Sequence, residues 1–559
     1  MAEADQNAGP AAPQNREMFP RLSEELLARV EKLGVRRKVA AGEVIIEQGT
    51  ALNGMSIVVS GILDVVNPSR PDQPPVATHG PGQFTGEVNM LAGRNSLVRI
   101  FAREASELIE IDLPTLRRIV QTDPELSDIF LRAFVMRRVA LLATTPGDMV
   151  LIGSSHSADT LRIREFLSRN GHPFTYLDID RDSDVQSVLD HFAVRADEIP
   201  VLICRGTRVL RNPTNAETAA CLGLNADVDE SAVVDVIVVG AGPSGLAAAV
   251  YAASEGLSVL VLETSAPGGQ AGTSSKIENY LGFPMGVSGQ ELAGRAFLQA
   301  QKFGAKIAIA RTATALKCSR PDHYGVELDS GTVVRGRSVI LASGVTYRTI
   351  ALPNRQKFEG AGIYYAATNL EAQVCGGEEI AIVGGGNSAG QAAVFLAGRS
   401  CHVNLLVRGP GLSETMSQYL IRRIEDTPSI KLMPFTEIES LEGDSCLATV
   451  RWRNSKTGET VTKPIGHLFL MTGAVPNTAW LDGCLALDEK RFVRTGPDIA
   501  PEDLTDFNWP LRRPPYLLET SRPRVFAVGD VRAGSVKRVA SAVGEGSIAI
   551  QFVHRALAE

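Results

Sequence analysis

The sequence predicts an α/β protein with two Rossmann-like dinucleotide-binding domains, preceded by two smaller domains. The first observation is a pair of glycine-rich turns, each joining an apolar strand to a helix. The second is a series of short β-like segments near the N-terminus, broken by glycine and followed by helices, which predicts a small β-barrel with a helical lid. The third is two strand–helix pairs followed by a strand pair, which predicts a compact βαβαββ unit between these parts.

Length and composition limit what the chain can do. Its 559 residues suffice for several domains, and a hydrophobic content of 44% suffices for several cores. The net charge of −7 provides no basic field, so we expect no nucleic-acid partner. No apolar run approaches the length of a membrane span. Residues 1–19 have no basic and apolar signal pattern, so we interpret them as a disordered lead-in.

The cysteines favour a cytoplasmic protein with reduced thiols. There are seven, an odd number spread along a long chain, and none forms a Cys-x-x-Cys pair. None lies with histidines at the spacing of a zinc site, so we expect no metal.

The first glycine-rich turn predicts a dinucleotide site. In "VVDVIVVGAGPSGLAAAV" an apolar strand runs into Gly240, Gly242 and Gly245. The first glycine permits the tight turn, the second lets backbone N–H groups approach a pyrophosphate, and the third lets helix and strand pack closely. Glu263 ends the next strand, where an acid accepts hydrogen bonds from a ribose.

The second turn predicts a different dinucleotide. In "EEIAIVGGGNSAGQ" the glycine positions hold Gly384, Gly386 and Ala389, and the following strand ends in Arg408 rather than in an acid. An arginine pairs with a 2′-phosphate that an acid would repel, so this site favours NADPH over NADH. The alternative is that Arg408 is simply a surface residue. One site with an acid and one without suggest FAD in the first and NADPH in the second.

After the first turn, the sequence resembles the low-molecular-weight thioredoxin reductase family. The motifs that carry the resemblance occur in order: "VIVVGAGPSG", "PGGQ", "IENYLGFP", "LASGV", "GGGNSA", "LMTGAVPNTAWL", "VFAVGDVR" and "KRVASAVGEGSIA". The resemblance implies an FAD domain with an inserted NADP domain, and a homodimer. To the FAD site it adds Gln270, Asn279, Asp530, Arg538 and Val539; to the NADPH site it adds Asn387 and Ser388.

One stretch, "YYAATNLEA" (Tyr364–Ala372), departs from that family. The family carries Cys-Ala-Thr-Cys-Asp here, whereas Ala366 and Asn369 replace both cysteines in this chain. Thiol–disulfide exchange needs an attacking and a leaving sulfur, and neither residue can supply one. Cys375 is single, and we expect it to be a buried hydrophobe. No side chain is identified as catalytic, and the flavin itself would be the catalytic group.

The βαβαββ unit resembles a glutaredoxin or thioredoxin-fold domain. In "GSSHSADTLRIREFL", Ser157 and Thr160 stand where that family has its cysteines, and the helix start is interpreted as a simple cap. Pro200 is a candidate cis residue, and Cys204 has no partner nearby in sequence. We expect a degenerate docking or spacer domain. The alternative is a domain that binds a thiol ligand such as glutathione.

The N-terminal region resembles the cyclic-nucleotide-binding family. Its "GPGQFTGEVNMLAGRNSLVRIFA" segment retains Gly86 and Glu87 of the phosphate-binding cassette, but the Pro-Arg position is Asn95-Ser96 and the nearest arginine is Arg94. In the family, the arginine of the Pro-Arg pair neutralises the cyclic phosphate. The domain has therefore either lost its ligand or still binds some nucleotide at Gly86, Glu87 and Arg94.

These parts predict the domain organisation. We expect the lead-in (1–19), a cyclic-nucleotide-binding-like domain (20–146), a thioredoxin-like domain (147–230), an FAD domain in two segments (231–351 and 472–559) and an inserted NADP domain (352–471).

The predicted activity is that of an FAD-dependent NAD(P)H oxidoreductase. Electrons would pass from NADPH through FAD to an unidentified acceptor, which could be a ferredoxin-like protein, a quinone, a small oxidant or dioxygen. One alternative is a regulatory redox or nucleotide sensor with slow turnover. Another is a disulfide reductase that uses Cys375 or Cys204 instead of the missing pair.

Overall fold

The structure is a computed structural model that describes residues 17–559 apart from short gaps. The gaps are at 51, 69–73, 87–89, 91–94, 145–148, 156, 183–184, 186–188, 190–194, 196–197, 205–207, 226–228, 230, 319–322 and 400. Most of the predicted lead-in lies outside the described residues, and so do Glu87 and Arg94 of the predicted nucleotide site.

The N-terminal domain consists of two antiparallel sheets and three helices. Its strands are β1 (Val35–Val39), β2 (Val44–Ile46), β3 (Gly54–Ser60), β4 (Leu63–Val66), β5 (Ala77–His79), β6 (Arg99–Ala102) and β7 (Ser106–Asp112). Its helices are α1 (Glu24–Glu31), α2 (Leu113–Thr122) and α3 (Pro124–Thr144). One sheet has the order β1-β7-β3 and the other β2-β6-β4-β5. Strands of both sheets pack into one core, and their closure into a barrel stays a prediction.

Residues 147–230, which we call the four-stranded domain, contain most of the predicted βαβαββ unit. The elements are β8 (Met149–Gly153), α4 (Ala158–Arg169), β9 (Thr175–Asp178), β10 (Val201–Cys204), β11 (Arg208–Arg211) and α5 (Asn215–Leu222). The strand order is β11-β10-β8-β9, with β8 and β9 parallel and the other pairs antiparallel. The Ile199–Pro200 peptide bond is cis, as predicted. Assignment to the thioredoxin fold stays a prediction.

Cys204 corrects the prediction for the thiols. Its sulfur is joined to that of Cys221 in a disulfide, so the expectation of reduced thiols is wrong for this pair, although Cys204 has no partner nearby in sequence. The two cysteines are 17 positions apart in the sequence, and they meet because α5 packs against β10 in the same core.

The rest of the chain alternates strands and helices. Its strands are β12 (Val233–Val239), β13 (Val259–Glu263), β14 (Lys306–Ile309), β15 (Ala313–Lys317), β16 (Tyr324–Leu328), β17 (Val333–Leu341), β18 (Val345–Tyr347), β19 (Ile363–Tyr364), β20 (Glu379–Val383), β21 (His402–Val407), β22 (Ile430–Pro434), β23 (Thr436–Glu442), β24 (Thr449–Asn454), β25 (Thr460–Lys463), β26 (Leu468–Leu470), β27 (Ala474–Pro476) and β28 (Val525–Ala527). Its helices are α6 (Pro243–Ser254), α7 (Gly289–Lys302), α8 (Arg355–Phe358), α9 (Asn369–Val374), α10 (Asn387–Ala397), α11 (Gln418–Glu425), α12 (Pro501–Asp506) and α13 (Val539–Ala558).

Two doubly covered sheets confirm the prediction of two dinucleotide-binding domains. In the FAD domain, the order is β14-β13-β12-β17-β16-β15, and β28 pairs in parallel with β17. In the NADP domain, the all-parallel order is β19-β26-β20-β21-β22, beside a three-stranded antiparallel sheet of β23, β24 and β25. The antiparallel pair β18 and β27 joins the chain leaving the FAD domain to the chain returning to it.

The four-stranded domain and the FAD domain share one hydrophobic core. Leu151, Phe166 and Leu202 of the former pack in the same cluster as Val236 and Phe526 of the latter. The four-stranded domain is therefore fixed to the dinucleotide-binding domains by buried apolar contacts rather than by a linker alone.

Among the described residues, no helix is both long and apolar enough to cross a lipid bilayer.

Candidate functional site

A cavity of about 1200 Å³ lies between the FAD domain, the NADP domain and the four-stranded domain. The first glycine turn borders it through Gly240 and Gly242, and the second through Asn387 and Ser388 at the start of α10. The volume exceeds that of the usual pocket for one small ligand, which suits a site shared by two nucleotides.

The first turn has the close contacts that a phosphate cradle needs. Gly240 has φ of 106°, and a Cβ there would lie 2.3 Å from the carbonyl oxygen of Ala342. A Cβ on Gly245 would lie 1.9 Å from the oxygen of Gly240, so only glycine lets α6 pack this closely on β12. Gly242 caps α6, whose first N–H groups have no partner within the helix and are suited to bind a pyrophosphate.

Glu263 ends β13 and holds the turn as well as bordering the cavity. One carboxylate oxygen accepts the N–H of Ala241 at 2.8 Å, and the other accepts those of Ser265 and Ala266 at 2.9 and 3.2 Å. Burial raises the pKa of Glu263, and these hydrogen bonds to its charged form oppose that rise. Glu263 borders the cavity, and its role toward a ribose stays a prediction.

The other predicted FAD residues all border the cavity: Gln270, Asn279, Asp530, Arg538 and Val539. Gln270 donates from Nε2 to the oxygen of Val345 at 2.5 Å, which ties the "PGGQ" loop to the end of the first FAD segment. The 20-residue helix α13 begins at the cavity, so the positive end of its dipole faces any bound flavin.

The second turn repeats the same geometry. Gly384 has φ of 147°, and a Cβ there would lie 2.4 Å from the oxygen of Met471. Gly386 caps α10, and Ala389 is fully buried against the sheet. Asn387 accepts hydrogen bonds from both the backbone N–H and the hydroxyl of Ser417, at 2.8 and 2.6 Å.

Arg408 lies at the end of β21, outside the cavity lining. Its side chain is 87% exposed, and Nε is 3.9 Å from a carboxylate oxygen of Glu437. This position leaves the guanidinium accessible to a 2′-phosphate, but it is also that of an ordinary surface residue. The preference for NADPH stays a prediction.

The "YYAATNLEA" stretch faces the cavity without sulfur. Tyr364, Tyr365 and Ala366 border it, α9 begins at Asn369, and no cysteine occurs among the described lining residues. Cys375 is fully buried in the NADP domain core, which confirms its prediction as a buried hydrophobe, and burial raises its pKa.

Glu371 is a cavity residue that the sequence analysis missed. Its carboxylate accepts the N–H of Thr368 at 2.8 Å and the hydroxyl of the same residue. Burial raises the pKa of Glu371, and the nearby Glu165 raises it further. The only signal in the sequence is an acid two residues after the position of the missing second cysteine; its burial becomes visible only in the fold.

Helix α4 of the four-stranded domain forms one wall of the cavity, which the sequence did not indicate. Leu161, Glu165 and Arg169 border the cavity, and Leu161 also packs against the NADP domain core. Arg169 donates from Nη2 to the oxygen of Gly269 in the "PGGQ" loop at 2.9 Å. A Cβ on Gly360 of the NADP domain would lie 2.7 Å from α4, so this helix is wedged between both dinucleotide-binding domains.

The start of α4 is capped as predicted. The Ser157 hydroxyl accepts the N–H of Thr160 at 3.4 Å, and Thr160 is fully buried. The first turn of α4 thus packs into the interior through Thr160.

In the N-terminal domain, Arg137 fixes the backbone beside the predicted nucleotide site. From α3 it donates to the oxygens of Phe84 and Gly86 at 2.9 and 3.0 Å, and its guanidinium lies over the rings of Phe19 and Phe84. The role of Gly86, Glu87 and Arg94 stays a prediction.

Two glycine turns that open on one cavity define an oxidoreductase of the two-dinucleotide class. Residues 234–546 match the pyridine nucleotide-disulphide oxidoreductase family, and the chain belongs to that family. Residues 36–123 match the cyclic nucleotide-binding domain.

The relatives are reductases and dehydrogenases. The chain is 30% identical over 339 residues to the NADH dehydrogenase of Ferdinandcohnia aciditolerans, a match that covers 60% of this chain and 60% of that protein. It is 29% identical over 332 residues to the thioredoxin reductase of Bacillus subtilis, covering 59% of this chain and 97% of the relative. The crystal structure of Lactococcus lactis thioredoxin reductase in its FR conformation matches 58% of this chain and 99% of its own, with 26% identity and a TM-score of 0.52.

The protein is therefore an oxidoreductase similar to thioredoxin reductases and NADH dehydrogenases. Its family implies FAD and either NADPH or NADH as cofactors. The residues fit these groups: a Cβ at Gly240, Gly245 or Gly384 would clash with backbone oxygens, so both turns need glycine, and the space beside Gly242 and Gly386 is open.

Proposed function

We propose that the protein is an FAD-dependent NAD(P)H oxidoreductase that works without an active-site dithiol and passes electrons from NADPH to an acceptor in the cavity. Bound FAD would supply the redox chemistry that connects hydride transfer from NADPH with electron uptake by the acceptor. The observation that carries the proposal is that both turns and Ala366 border one cavity with no cysteine among its described lining residues. Without a dithiol, the acceptor has to reach the flavin itself.

The wall formed by α4 favours a small acceptor. Its contacts with Gly269 and Gly360 connect the FAD and NADP domains on one side of the cavity, which narrows the space for a docking protein. Among the acceptors that the sequence leaves open, a quinone, another small oxidant or dioxygen therefore fits better than a ferredoxin-like protein.

In this proposal Glu371 is the proton donor to the acceptor. Because burial raises its pKa, the carboxyl keeps its proton at a higher pH than an exposed glutamate does. Reduction of a quinone to a hydroquinone takes up two protons with two electrons, so a protonated carboxyl in the cavity assists that step.

Anaerobic stopped-flow mixing tests the proposal. NADPH is expected to bleach the visible absorbance of the bound flavin, and a soluble quinone added next is expected to restore it. The matched control is Gly384→Ala, which retains the FAD turn but places a Cβ against Met471 in the second turn, and bleaching should then be slower. A bound flavin that neither NADPH nor NADH bleaches would overturn the proposal.

A second candidate is a reductase regulated by its N-terminal domain. Helix α7 begins beside the FAD loop, where a Cβ on Gly289 would lie 1.8 Å from the oxygen of Ala271. Its other end meets the N-terminal domain, where Gln121 donates to the oxygen of Lys302 at 2.9 Å and Leu298 packs against that domain's core. This candidate predicts that a cyclic nucleotide changes the NADPH-dependent rate. Rates that stay the same with cyclic AMP and cyclic GMP would count against it.

A disulfide reductase with other cysteines fits the geometry least. Cys375 is buried with a raised pKa, and Cys204 is already joined to Cys221. Cys375→Ser and Cys204→Ser variants decide the matter, because NADPH-dependent disulfide reduction that falls in either variant would favour this function.

A further inference from the structure

Two half-buried cysteines meet on the FAD domain, away from the nucleotide turns. Cys318 directly follows β15, and Cys484 follows the 3₁₀ turn Ala479–Leu481. The Cys484 sulfur donates to the oxygen of Leu316 at 3.2 Å, and the Cys318 sulfur lies 3.9 Å from the same oxygen. Both sulfurs thus approach one carbonyl oxygen, and each thiol shifts the pKa of the other.

The surroundings of the pair make the two sulfurs unequal. Interaction with Cys318, together with the positive charges of Arg522 and Lys317, lowers the pKa of Cys484 to about 6, against the effect of burial. The pKa of Cys318 is raised instead, because of its interaction with Cys484 and its burial. Cys484 is thus the thiol of the pair that loses its proton first, and Cys318 keeps its proton beside it.

A second thiol pair shows that proximity alone does not produce this arrangement. Cys375 and Cys401 have sulfurs 3.9 Å apart, but both are fully buried in the NADP domain core. Burial raises the pKa of Cys375. An oxidant reaches neither sulfur without opening that core.

We propose that Cys318 and Cys484 form a dithiol that hydroperoxides oxidise to a disulfide. The Cys484 thiolate attacks one peroxide oxygen, the O–O bond breaks, an alcohol or water leaves after protonation, and a sulfenic acid remains on Cys484. The Cys318 thiol then displaces the hydroxyl, which leaves as water, and the S–S bond forms. The two electrons that reduce the peroxide come from the two sulfurs.

The disulfide would tie together two segments that border the cofactor cavity. β15 begins at Ala313, and the 3₁₀ turn supplies Ala479 and Trp480, all of which line the cavity. The oxidation state of the pair therefore sets how far these segments can move apart.

Peptide mapping of the full chain tests the proposal independently of the electron-transfer activity. The reduced protein is treated with one equivalent of hydrogen peroxide, alkylated with N-ethylmaleimide without unfolding, digested and analysed by mass spectrometry. We expect a linked Cys318–Cys484 peptide. We also expect Cys318→Ser to stop at a sulfenic acid that dimedone traps on Cys484, and Cys484→Ser to yield neither product.

Two comparisons make the test specific. Cys446→Ser removes a different half-buried cysteine and should leave the linked peptide unchanged. The Cys375–Cys401 pair should stay unlinked in the same sample. The proposal is wrong if Cys318 and Cys484 both remain unlinked and unoxidised, or if the buried pair links at the same rate.

Discussion

Two helical glycines offer a matched test of the FAD cradle, because they differ in the space around them. Gly245 lies in α6 and Gly294 in α7, so replacing either by alanine brings the same gain in helix propensity, about 1 kcal/mol. A Cβ on Gly294 would meet nothing within 4 Å, whereas one on Gly245 would lie 1.9 Å from the oxygen of Gly240.

The space around each glycine sets the expected change in the free energy of unfolding. Gly294→Ala should raise the free energy of unfolding by about 1 kcal/mol. Gly245→Ala has to displace the backbone oxygen of Gly240, and overpacking of this kind costs about 1–3 kcal/mol. That displacement also widens the first turn, so we expect this variant to lose FAD while Gly294→Ala retains it.

Two measurements check this prediction. Urea unfolding provides the stability of each variant, and the absorbance of flavin released by denaturation provides FAD per chain. The reasoning is refuted if Gly245→Ala holds as much FAD as Gly294→Ala and unfolds at the same urea concentration.

Three further predictions concern other side chains. Glu371→Gln should lower quinone turnover roughly 100-fold while NADPH still bleaches the flavin at its normal rate, and an unchanged turnover would remove Glu371 as proton donor. Arg169→Leu should weaken FAD binding about tenfold by losing its hydrogen bond to Gly269, as measured by titration of the apoprotein, whereas Arg208→Leu on the exposed face of the same domain should not. His79 is buried, and its pKa is lowered from 6.5 to about 3, so between these pH values the unfolded state binds more protons than the folded state. In that window the free energy of unfolding decreases by about 1.4 kcal/mol for each unit by which the pH drops. His79→Phe should remove that part of the slope in urea unfolding between pH 7 and 5, and equal slopes would contradict it.

The features that could be predicted from the sequence are local ones. The turns at Gly240 and Gly384 were predictable because strand, glycines and helix are consecutive, so their geometry is encoded within one short segment. The loss of sulfur at Ala366 could likewise be read directly. The cavity residues that were missed depend on contacts between distant segments.

Three results show why distant contacts escaped prediction. Helix α4 and Glu371 border the cavity only because three domains meet there. The pairing of Cys204 with Cys221 depends on how α5 packs on β10, which spacing does not reveal. The strands of the N-terminal domain pair into two sheets between segments that are distant in the sequence, and the sequence pattern does not reveal which strands pair.

The core shared by Phe166 and Phe526 has a consequence for how the chain folds and can be divided. A cut between α5 and β12, which separates the four-stranded domain from the FAD domain, would expose apolar faces on both products, so neither half is an autonomous unit. Heating should therefore melt the two domains in one cooperative transition. Residues 147–230 therefore do not form a module that can be removed without harm to the rest. Mutations that loosen their interior weaken the FAD domain as well, so selection acts on the two domains together.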